Sequence, residues 1–366
     1  MNKYSNIDLQ KMRLYNNGLI DKFLNESICI ESLIGIQCQY QTYAMISIYM
    51  RNKNGCDIFN NENLIKSWGQ RTTLHIYHKS DYNLISDLYC ELDNWVYKYA
   101  KKLGINYNEY LNKIISFFEN NTIPISKSDI KSIIPEYKSK EIMEWSGLLI
   151  LATYHKILYG IVNKEDKKIY VKNDINYSNK QIYDFIYRYF KYYGPATKKD
   201  FLHWSGLKYK DIKKELDDYI KCSKYLNINN EKYYYVSLPN LEKVNFNYPI
   251  ILGKFDPLLI SYNNKEWILN GYDKSLIWKA AGQVEGVILN EKGLCGTWHY
   301  KLKENKVFFE IKELNDLQKK LKKQLEEKFT KLGAKIFHKK ITVIYQEVNN
   351  EKRSFLSTSR DSTRNK

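Results

Sequence analysis

The sequence PISKSDI at positions 124–130 recurs as PATKKDF at positions 195–201, and this repeat decides how the chain is organised. In each copy a hydroxyl residue, Ser126 or Thr197, stands three positions before an aspartate, Asp129 or Asp200. That spacing is typical of an acidic capping box at a helix N-terminus, where the aspartate also favours the helix dipole. The repeat therefore predicts two helices that begin at equivalent points of two related units.

The segments around the two copies also correspond. A helical stretch precedes each copy, and a short helix, a turn and a longer helix follow it. Both copies then run into an alternating, tyrosine-rich hairpin. The main segments lie at 107–118, 139–151 and 156–172 in the first copy and at 180–193, 209–222 and 224–236 in the second. Three helices and a hairpin are the plan of a winged helix-turn-helix, so we predict two of these in residues 101–240.

The first hundred residues fit the same plan, so a third winged helix is predicted there. Residues 9–16 and 42–50 have helical patterns, 62–67 open another short helix, and 72–77 alternate as a strand does.

The predicted secondary structure changes after residue 248, from helices with hairpins to mainly short strands. Short strands are predicted at 249–252, 267–269, 286–289 and 307–311, followed by an amphipathic helix with apolar residues from Leu314 to Phe329 and a C-cap at Gly333. We therefore predict an α+β fold of three tandem winged helix-turn-helix motifs and a β-rich C-terminal domain. The predicted parts are winged helices at 1–100, 101–175 and 176–240, a β-rich domain at 245–350 and a disordered basic tail at 351–366.

Charge and composition restrict the classes of partner and site that the protein can have. The 58 Lys and Arg residues exceed the 41 Asp and Glu residues, giving a net charge of +17 and favouring a polyanionic partner. The six cysteines form no Cys-x-x-Cys pair, so we expect no zinc ribbon, no metal site and no cofactor. No apolar stretch approaches the ~20 residues of a membrane span, and no secretory signal opens the chain. We expect a monomeric cytoplasmic protein without membrane contact, associated with the nucleoid when bound to DNA.

Several short motifs resemble the AlkZ-like family of winged-helix DNA glycosylases, in the same order along the chain. They are GIQCQ at 35–39, WGQRTTLH at 68–75, YGPAT at 193–197 with WSGL at 204–207, FDP at 255–257, and GVI at 286–288 leading to GTW at 296–298. This resemblance extends from about residue 10 to residue 335. Two departures from the family pattern are Tyr40, where an aspartate is usual, and Thr72, where a glycine is usual.

The resemblance implies a function as well as a fold. It implies a C-shaped arrangement around duplex DNA and the excision of N-alkylated purines, including N7-alkylguanines and the interstrand crosslinks built from them, in base excision repair of alkylation damage. The family's catalytic Gln-x-Gln motif corresponds to Gln37 and Gln39. The partner would be double-stranded DNA carrying alkylated bases.

Two glutamines are an unusual hydrolase site, because glutamine is no general base. An N7-alkylated guanine is already cationic and leaves without being protonated. The barrier then depends on positioning a water and stabilising a cationic sugar, which side-chain carbonyl oxygens can do. On a regular helix, residues two apart diverge by ~200°, so we expect Gln37 and Gln39 to converge in a loop or at a helix start. The alternative is a pair of polar residues at a helix entrance with no catalytic role.

The DNA-binding prediction covers five residues. Arg71, Thr73 and His75 would grip phosphates or enter a groove from a hairpin, and the alternative is an ordinary exposed strand. Lys198 and Lys199 belong to the basic stretches expected to contact phosphates. A second class of function also remains: a catalytically silent winged-helix DNA-binding protein, such as a transcriptional regulator, which would recognise a defined site.

Overall fold

A computed structural model describes residues 4–90, 95–135, 146–176, 180–269, 271–315 and 317–346. These residues form a mixed α+β fold that divides into two compact units. The first comprises Met1–Phe246 and Phe255–Ile268, and the second Asn247–Lys254 and the chain from Leu269 onward. The predicted tail at 351–366 and most of the predicted helix at 139–151 lie outside the described residues. No helix in the described segments is long and apolar enough to cross a membrane.

The first unit alternates helices with short strands. Its helices are α1 (Asn6–Asn16), α2 (Glu26–Ser32), α3 (Gln41–Arg51), α4 (Tyr82–Cys90), α5 (Trp95–Lys102), α6 (Tyr107–Asn120), α7 (Ile130–Ile133), α8 (Gly147–Tyr154), α9 (Ile182–Tyr192), α10 (Lys198–Ser205), α11 (Lys213–Lys221) and α12 (Pro257–Ile260), with α13 (Glu266–Leu269) at its boundary. Its strands are β1 (Ile36–Gln37), β2 (Leu64–Trp68), β3 (Leu74–His78), β4 (Ile125–Ser126), β5 (Leu158–Ile161), β6 (Ile169–Lys172), β7 (Lys224–Ile228) and β8 (Glu231–Tyr235).

Two hairpins of the first unit join in one six-stranded sheet of order β1-β3-β2-β5-β6-β4. The junction is the antiparallel pair β2–β5, in which Lys66 lies opposite Gly160. A side chain at Gly160 would crowd this junction, since an added Cβ would lie 3.1 Å from Cβ of Lys66. The third hairpin, β7–β8, forms its own sheet, and Tyr234 in it pairs with Ala196 just before α10. A helix, a short strand or bridge, one or more helices and a hairpin thus recur along the unit.

The repeated capping motif forms fully in one copy. Thr197 and Asp200 make reciprocal side-chain bonds to backbone amides, each of 3.0 Å, at the start of α10. In the other copy Asp129 accepts from the amide and hydroxyl of Ser126 at 2.7 and 2.8 Å, and helix α7 begins only at Ile130. The predicted equivalence is therefore confirmed for the position of the motif, with a shorter helix after the first copy.

Two local predictions are wrong. Residues 62–67 do not open a helix but lead into strand β2, which is buried at every position between β3 and β5 and therefore lacks the alternation of a half-exposed strand. Residues 267–269 are not a strand but part of the short helix α13. All three of these residues are buried, so their pattern does not separate helix from strand.

The second unit is a five-stranded sheet covered by one long helix. Its strands are β9 (Ile250–Leu252), β10 (Gly286–Asn290), β11 (Gly293–Lys303), β12 (Lys306–Glu313) and β13 (Lys340–Gln346), in the order β13-β12-β11-β10-β9. Helix α14 (Lys319–Leu332) buries Phe329 against Trp298 and Phe309, with ring centroids 5.1 and 4.6 Å apart. The amphipathic helix predicted here is confirmed.

Helix α14 ends at the predicted C-cap, Gly333, but without the left-handed turn that is usual for a C-cap glycine. Gly333 keeps right-handed helical angles, with φ of −60°, and the chain continues in a wider turn to Phe337 before His338 turns left-handed. Glycine is required there for space, because a Cβ would lie 1.9 Å from Cγ2 of Ile341 on β13.

Buried ion pairs join distant parts of the first unit. Arg13 on α1 lies 3.5 Å from Asp200 on α10 and stacks over Tyr262, and Arg51 on α3 makes a bidentate pair with Asp256 at 2.7 and 2.8 Å. A further pair links Arg188 on α9 to Asp81 at 2.7 Å. Because a buried charge that loses its partner is costly, these pairs hold the N-terminal segment, α9, α10 and the loop before α12 in one arrangement.

Candidate functional site

A tight turn connects helix α2 to strand β1. Ile34 and Gly35 both have positive φ, of 56° and 84°. Glycine is needed at position 35 because a Cβ there would lie 2.4 Å from the ring of Tyr77, a fully buried residue of β3. The turn fixes where β1 meets β3, and therefore where the glutamine motif begins.

Gln37 and Gln39 lie at the end of β1, just before α3 begins at Gln41. Gln37 pairs directly with His75 of β3, and the amide of Cys38 still donates to the carbonyl of Leu74 at 2.7 Å. Residues 39 and 40 form a bend between β1 and α3, so Gln39 lies in a loop immediately before the helix. Gln37 is 8% exposed, whereas Gln39 is exposed. The motif therefore has one buried glutamine, Gln37, and one that is accessible to a ligand, Gln39.

Arg71, in the turn between β2 and β3, contacts the buried glutamine, Gln37. Its Nη2 donates to Oε1 of Gln37 at 3.5 Å, and its Nη1 donates to the carbonyls of Trp204 and Ile260 at 2.8 and 3.4 Å. Burial of this guanidinium lowers the pKa of Arg71 below its usual value. The guanidinium of Arg71 therefore donates to three acceptors of the protein itself. The predicted contact of Arg71 with a DNA phosphate stays a prediction.

The turn that carries Arg71 is strained at Thr72. Both residues have positive φ, 54° and 55°, and the amide of Thr73 donates to the carbonyl of Gln70 at 3.2 Å. Two central residues with positive φ are the signature of a type I′ turn, which favours Asn-Gly. Here a β-branched threonine occupies one of these positions, which costs roughly 1–2 kcal/mol in the left-handed region.

His75 and Thr73 face inward more than the hairpin prediction implied. His75 is 4% exposed, its Nδ1 lies 2.8 Å from the carbonyl of Thr73, and burial lowers its pKa to about 3. The imidazole is therefore neutral at pH 7, with its proton on Nδ1. Thr73 donates its hydroxyl to the carbonyl of Gln70 at 2.9 Å. The alternative of an exposed strand is wrong for β3, since Leu74–Tyr77 are all buried.

Lys198 and Lys199 form the first turn of α10. Lys198 lies 2.6 Å from Asp217 and 3.7 Å from the ring centre of Tyr209, while Lys199 is exposed. Lys213 and Lys214, also exposed, begin α11. Because Arg71 binds the carbonyl of Trp204 near the end of α10, the basic residues and the glutamine motif lie toward opposite ends of one helix.

Sequence reasoning missed a contact beside the motif. Tyr40, which follows Gln39, stacks on Phe255 with ring centroids 5.7 Å apart and an interplanar angle of 17°. The FDP sequence at 255–257 contains one partner of this contact, but nothing in the sequence pairs Phe255 with Tyr40. Asp256 accepts from the amide of Leu258 at 3.0 Å in the turn at Pro257, and Trp204 is a buried aromatic core residue.

No group of three or more His, Cys, Asp or Glu side chains among the described residues is placed to hold a metal ion.

Comparisons with known proteins agree with the sequence resemblance. The family described as DNA glycosylase AlkZ-like matches residues 169–334. The Streptomyces sahachiroi DNA glycosylase AlkZ has a similar structure, with a TM-score of 0.74 over 94% of this chain and 100% of that chain, at 16% identity. Searching curated proteins by sequence gave no match. The resemblance of this chain to the AlkZ-like family is therefore confirmed, and at this identity the structural likeness establishes the fold.

Proposed function

We propose that this protein is a monofunctional DNA repair glycosylase that hydrolyses the N-glycosidic bond of cationic N7-alkylguanine-type bases. The family match supports a DNA glycosylase. The observation that carries the proposal is the Gln-x-Gln segment, in which the half-buried Arg71 contacts Gln37 and Gln39 remains open to a substrate. Bulky adducts, including crosslinks built on N7 of guanine, belong to the same chemical class.

Gln37 would act through its fixed carbonyl oxygen. Oε1 has two lone pairs, and the bond from Arg71 leaves one to accept from a water or to face the positive charge that develops on the sugar. An oxygen already oriented need not reorganise when the charge appears, which is how preorganised dipoles stabilise a transition state. Gln39, exposed in the bend that follows β1, would supply the second oxygen.

No general acid is needed for a base that is already cationic, and none is assigned. The pKa of His75, near 3, leaves this residue uncharged at pH 7 and unable to donate a proton to a leaving group effectively. His75 would instead help to position Gln37, with which it is directly paired across strands β1 and β3. Neutral adenine or uracil, which need protonation to leave, should not be released.

DNA would be held mainly through phosphates. The net charge of +17 and the exposed Lys199, Lys213 and Lys214 at the starts of α10 and α11 supply the positive charge. We propose that the recurring helix-and-hairpin units, with boundaries at 1–100, 101–175 and 176–240, are three tandem winged helices that share this task, and that one protein molecule acts alone.

An excision assay tests the proposal. Duplex DNA with a single N7-methylguanine is incubated with the protein and the abasic product is cleaved with alkali. Release of the base without any intermediate trapped by borohydride is expected. Protein that binds this duplex but yields no abasic site would refute the glycosylase and favour the silent DNA-binding alternative, which should then protect a defined sequence.

A further inference from the structure

An exposed aromatic surface lies beside the glutamine motif. Tyr40 is 45% exposed, although one face of its ring is covered by Phe255. Tyr43, one helical turn further on, packs edge-on against Tyr40 with centroids 6.5 Å apart. Phe255 itself is only 9% exposed, so the stack presents Tyr40 outward and is backed by the protein interior.

A buried network holds the backing residue in place. Phe255 has a positive φ of 56°, a conformation that a bulky residue adopts only when its surroundings impose it. The next residue, Asp256, accepts two bonds from Arg51 and one from Ser47 at 3.0 Å, and the Arg51 and Asp256 side chains are at most 1% exposed. Since Arg51 and Ser47 belong to α3, the helix that begins just after Tyr40, both rings of the stack are tied to one helix.

The stack lies next to the glutamine motif in the bend that leads into α3. Tyr40 immediately follows Gln39, and consecutive Cα atoms are ~3.8 Å apart. Tyr40 has extended angles, φ of −127° and ψ of 102°, and makes no side-chain cap bond to α3. The side chain of Tyr40 therefore does not cap α3, and the exposed face of its ring is accessible to a ligand.

We propose that Tyr40, backed by Phe255, is the specificity-determining residue on which the cationic purine stacks while Gln37 and Gln39 act on its sugar. This rests on the proposed function. The negative face of an aromatic ring attracts a flat cation more strongly than a neutral base, because cation–π attraction adds to stacking. The ring selects alkylated, positively charged bases from unmodified ones.

The test compares Tyr40→Leu and Tyr40→Phe with the wild-type protein. Tyr40→Leu removes the π face at similar volume, whereas Tyr40→Phe keeps it. Tyr183→Leu is the matched control, since Tyr183 is a similarly exposed tyrosine on α9. Each variant is assayed for single-turnover release of N7-methylguanine and for affinity to duplexes with N7-methylguanine or guanine, with melting temperature as the check on folding.

Tyr40→Leu should slow excision about tenfold or more, and should reduce the preference for the N7-methylguanine duplex over the guanine duplex by a similar factor. Tyr40→Phe and Tyr183→Leu should stay within about twofold of wild type. Unchanged excision and preference in Tyr40→Leu would overturn the proposal, as would an equal loss in Tyr40→Phe, which would assign the effect to the hydroxyl. If Tyr40→Leu fails to fold, Tyr40→Trp should retain both properties, and their loss in that folded variant would overturn the proposal.

The same measurements separate this proposal from the proposed function. Wild-type protein without excision would refute the glycosylase. A preference for the N7-methylguanine duplex that Tyr40→Leu abolishes would still support the stacking role. Wild-type protein with neither excision nor preference would overturn both.

Discussion

Nη2 of Arg71 lies 3.5 Å from Oε1 of Gln37, across 34 positions of sequence, while Nη1 of the same arginine binds the carbonyls of Trp204 and Ile260. One half-buried guanidinium thus connects the hairpin turn, the glutamine motif, α10 and α12. This makes Arg71 a positioning residue for Gln37 within the proposed mechanism.

Arg71→Lys should keep the charge but lose the fork of donors, since an ammonium does not reproduce the planar guanidinium geometry. We expect excision under saturating enzyme to fall roughly tenfold or more, the size of a lost preorganised contact, with DNA affinity nearly unchanged. Single-turnover kinetics and binding titrations measure the two effects. If Arg71 contacted phosphate instead, the lysine would still neutralise that phosphate, so the rate at saturation and the salt dependence would both hold.

Lys199→Ala should weaken DNA binding by removing an exposed positive charge at the start of α10. The slope of log affinity against log salt should decrease by about 0.9 if Lys199 makes one phosphate contact. Binding titrations over a range of salt concentrations, with the exposed Lys335→Ala as control, provide the measurement. A variant with the wild-type slope would remove Lys199 from the interface.

Thr72→Gly should stabilise the protein. Glycine adopts the positive φ of 55° without the penalty that threonine bears, and after its larger entropy loss on folding a net gain of up to about 1 kcal/mol remains. Thermal unfolding should show a rise of a few degrees in Tm. Thr73→Gly, at an ordinary extended position with φ of −109°, should lower the Tm. A lower Tm for Thr72→Gly would mean that contacts of the threonine side chain outweigh the strain.

The buried His75 should make stability depend on pH. Its pKa is about 3 in the folded protein against 6.5 when unperturbed, so below pH 6.5 the unfolded chain binds a proton that the folded protein does not. The free energy of unfolding should therefore fall with decreasing pH, by up to about 1.4 kcal/mol per pH unit from this group between pH 6 and 4. Denaturant unfolding of His75→Asn at several pH values should show a shallower slope of stability against pH than the wild-type protein. Equal slopes in His75→Asn and wild type would contradict the neutral, buried state.

Local sequence signals predicted the local parts of this structure. The Thr197–Asp200 capping box, the hairpins β5–β6 and β7–β8 and helix α14 depend on residues close in the chain, and they formed as expected. Strand β2 does not form the predicted helix: all five of its residues are buried, on either face of the sheet, so the sequence lacks the period of two that marks a half-exposed strand.

The site was predictable only in part for the same reason. Gln37 and Gln39 could be singled out from a motif, but their partners come from distant segments. Arg51 and Asp256, which support Phe255, are 205 positions apart. Residue spacing says nothing about such contacts, so the arginine expected on a DNA-facing hairpin was found to point inward. Nor could the stack of Tyr40 on Phe255 be read from the sequence, because Tyr40 is itself a departure from the family pattern.

The central claim, that Gln37 and Gln39 perform the chemistry, is tested most directly by single-turnover excision of N7-methylguanine by the Gln37→Ala, Gln39→Ala and double variants. Each single variant should lose roughly ten- to a thousandfold in rate, the size of one lost preorganised polar group, with DNA affinity and Tm close to wild type because neither side chain is charged. Gln318→Ala, an exposed glutamine in the second unit, should match wild type. A double variant that excises N7-methylguanine at the wild-type rate would contradict the account and place the active site elsewhere.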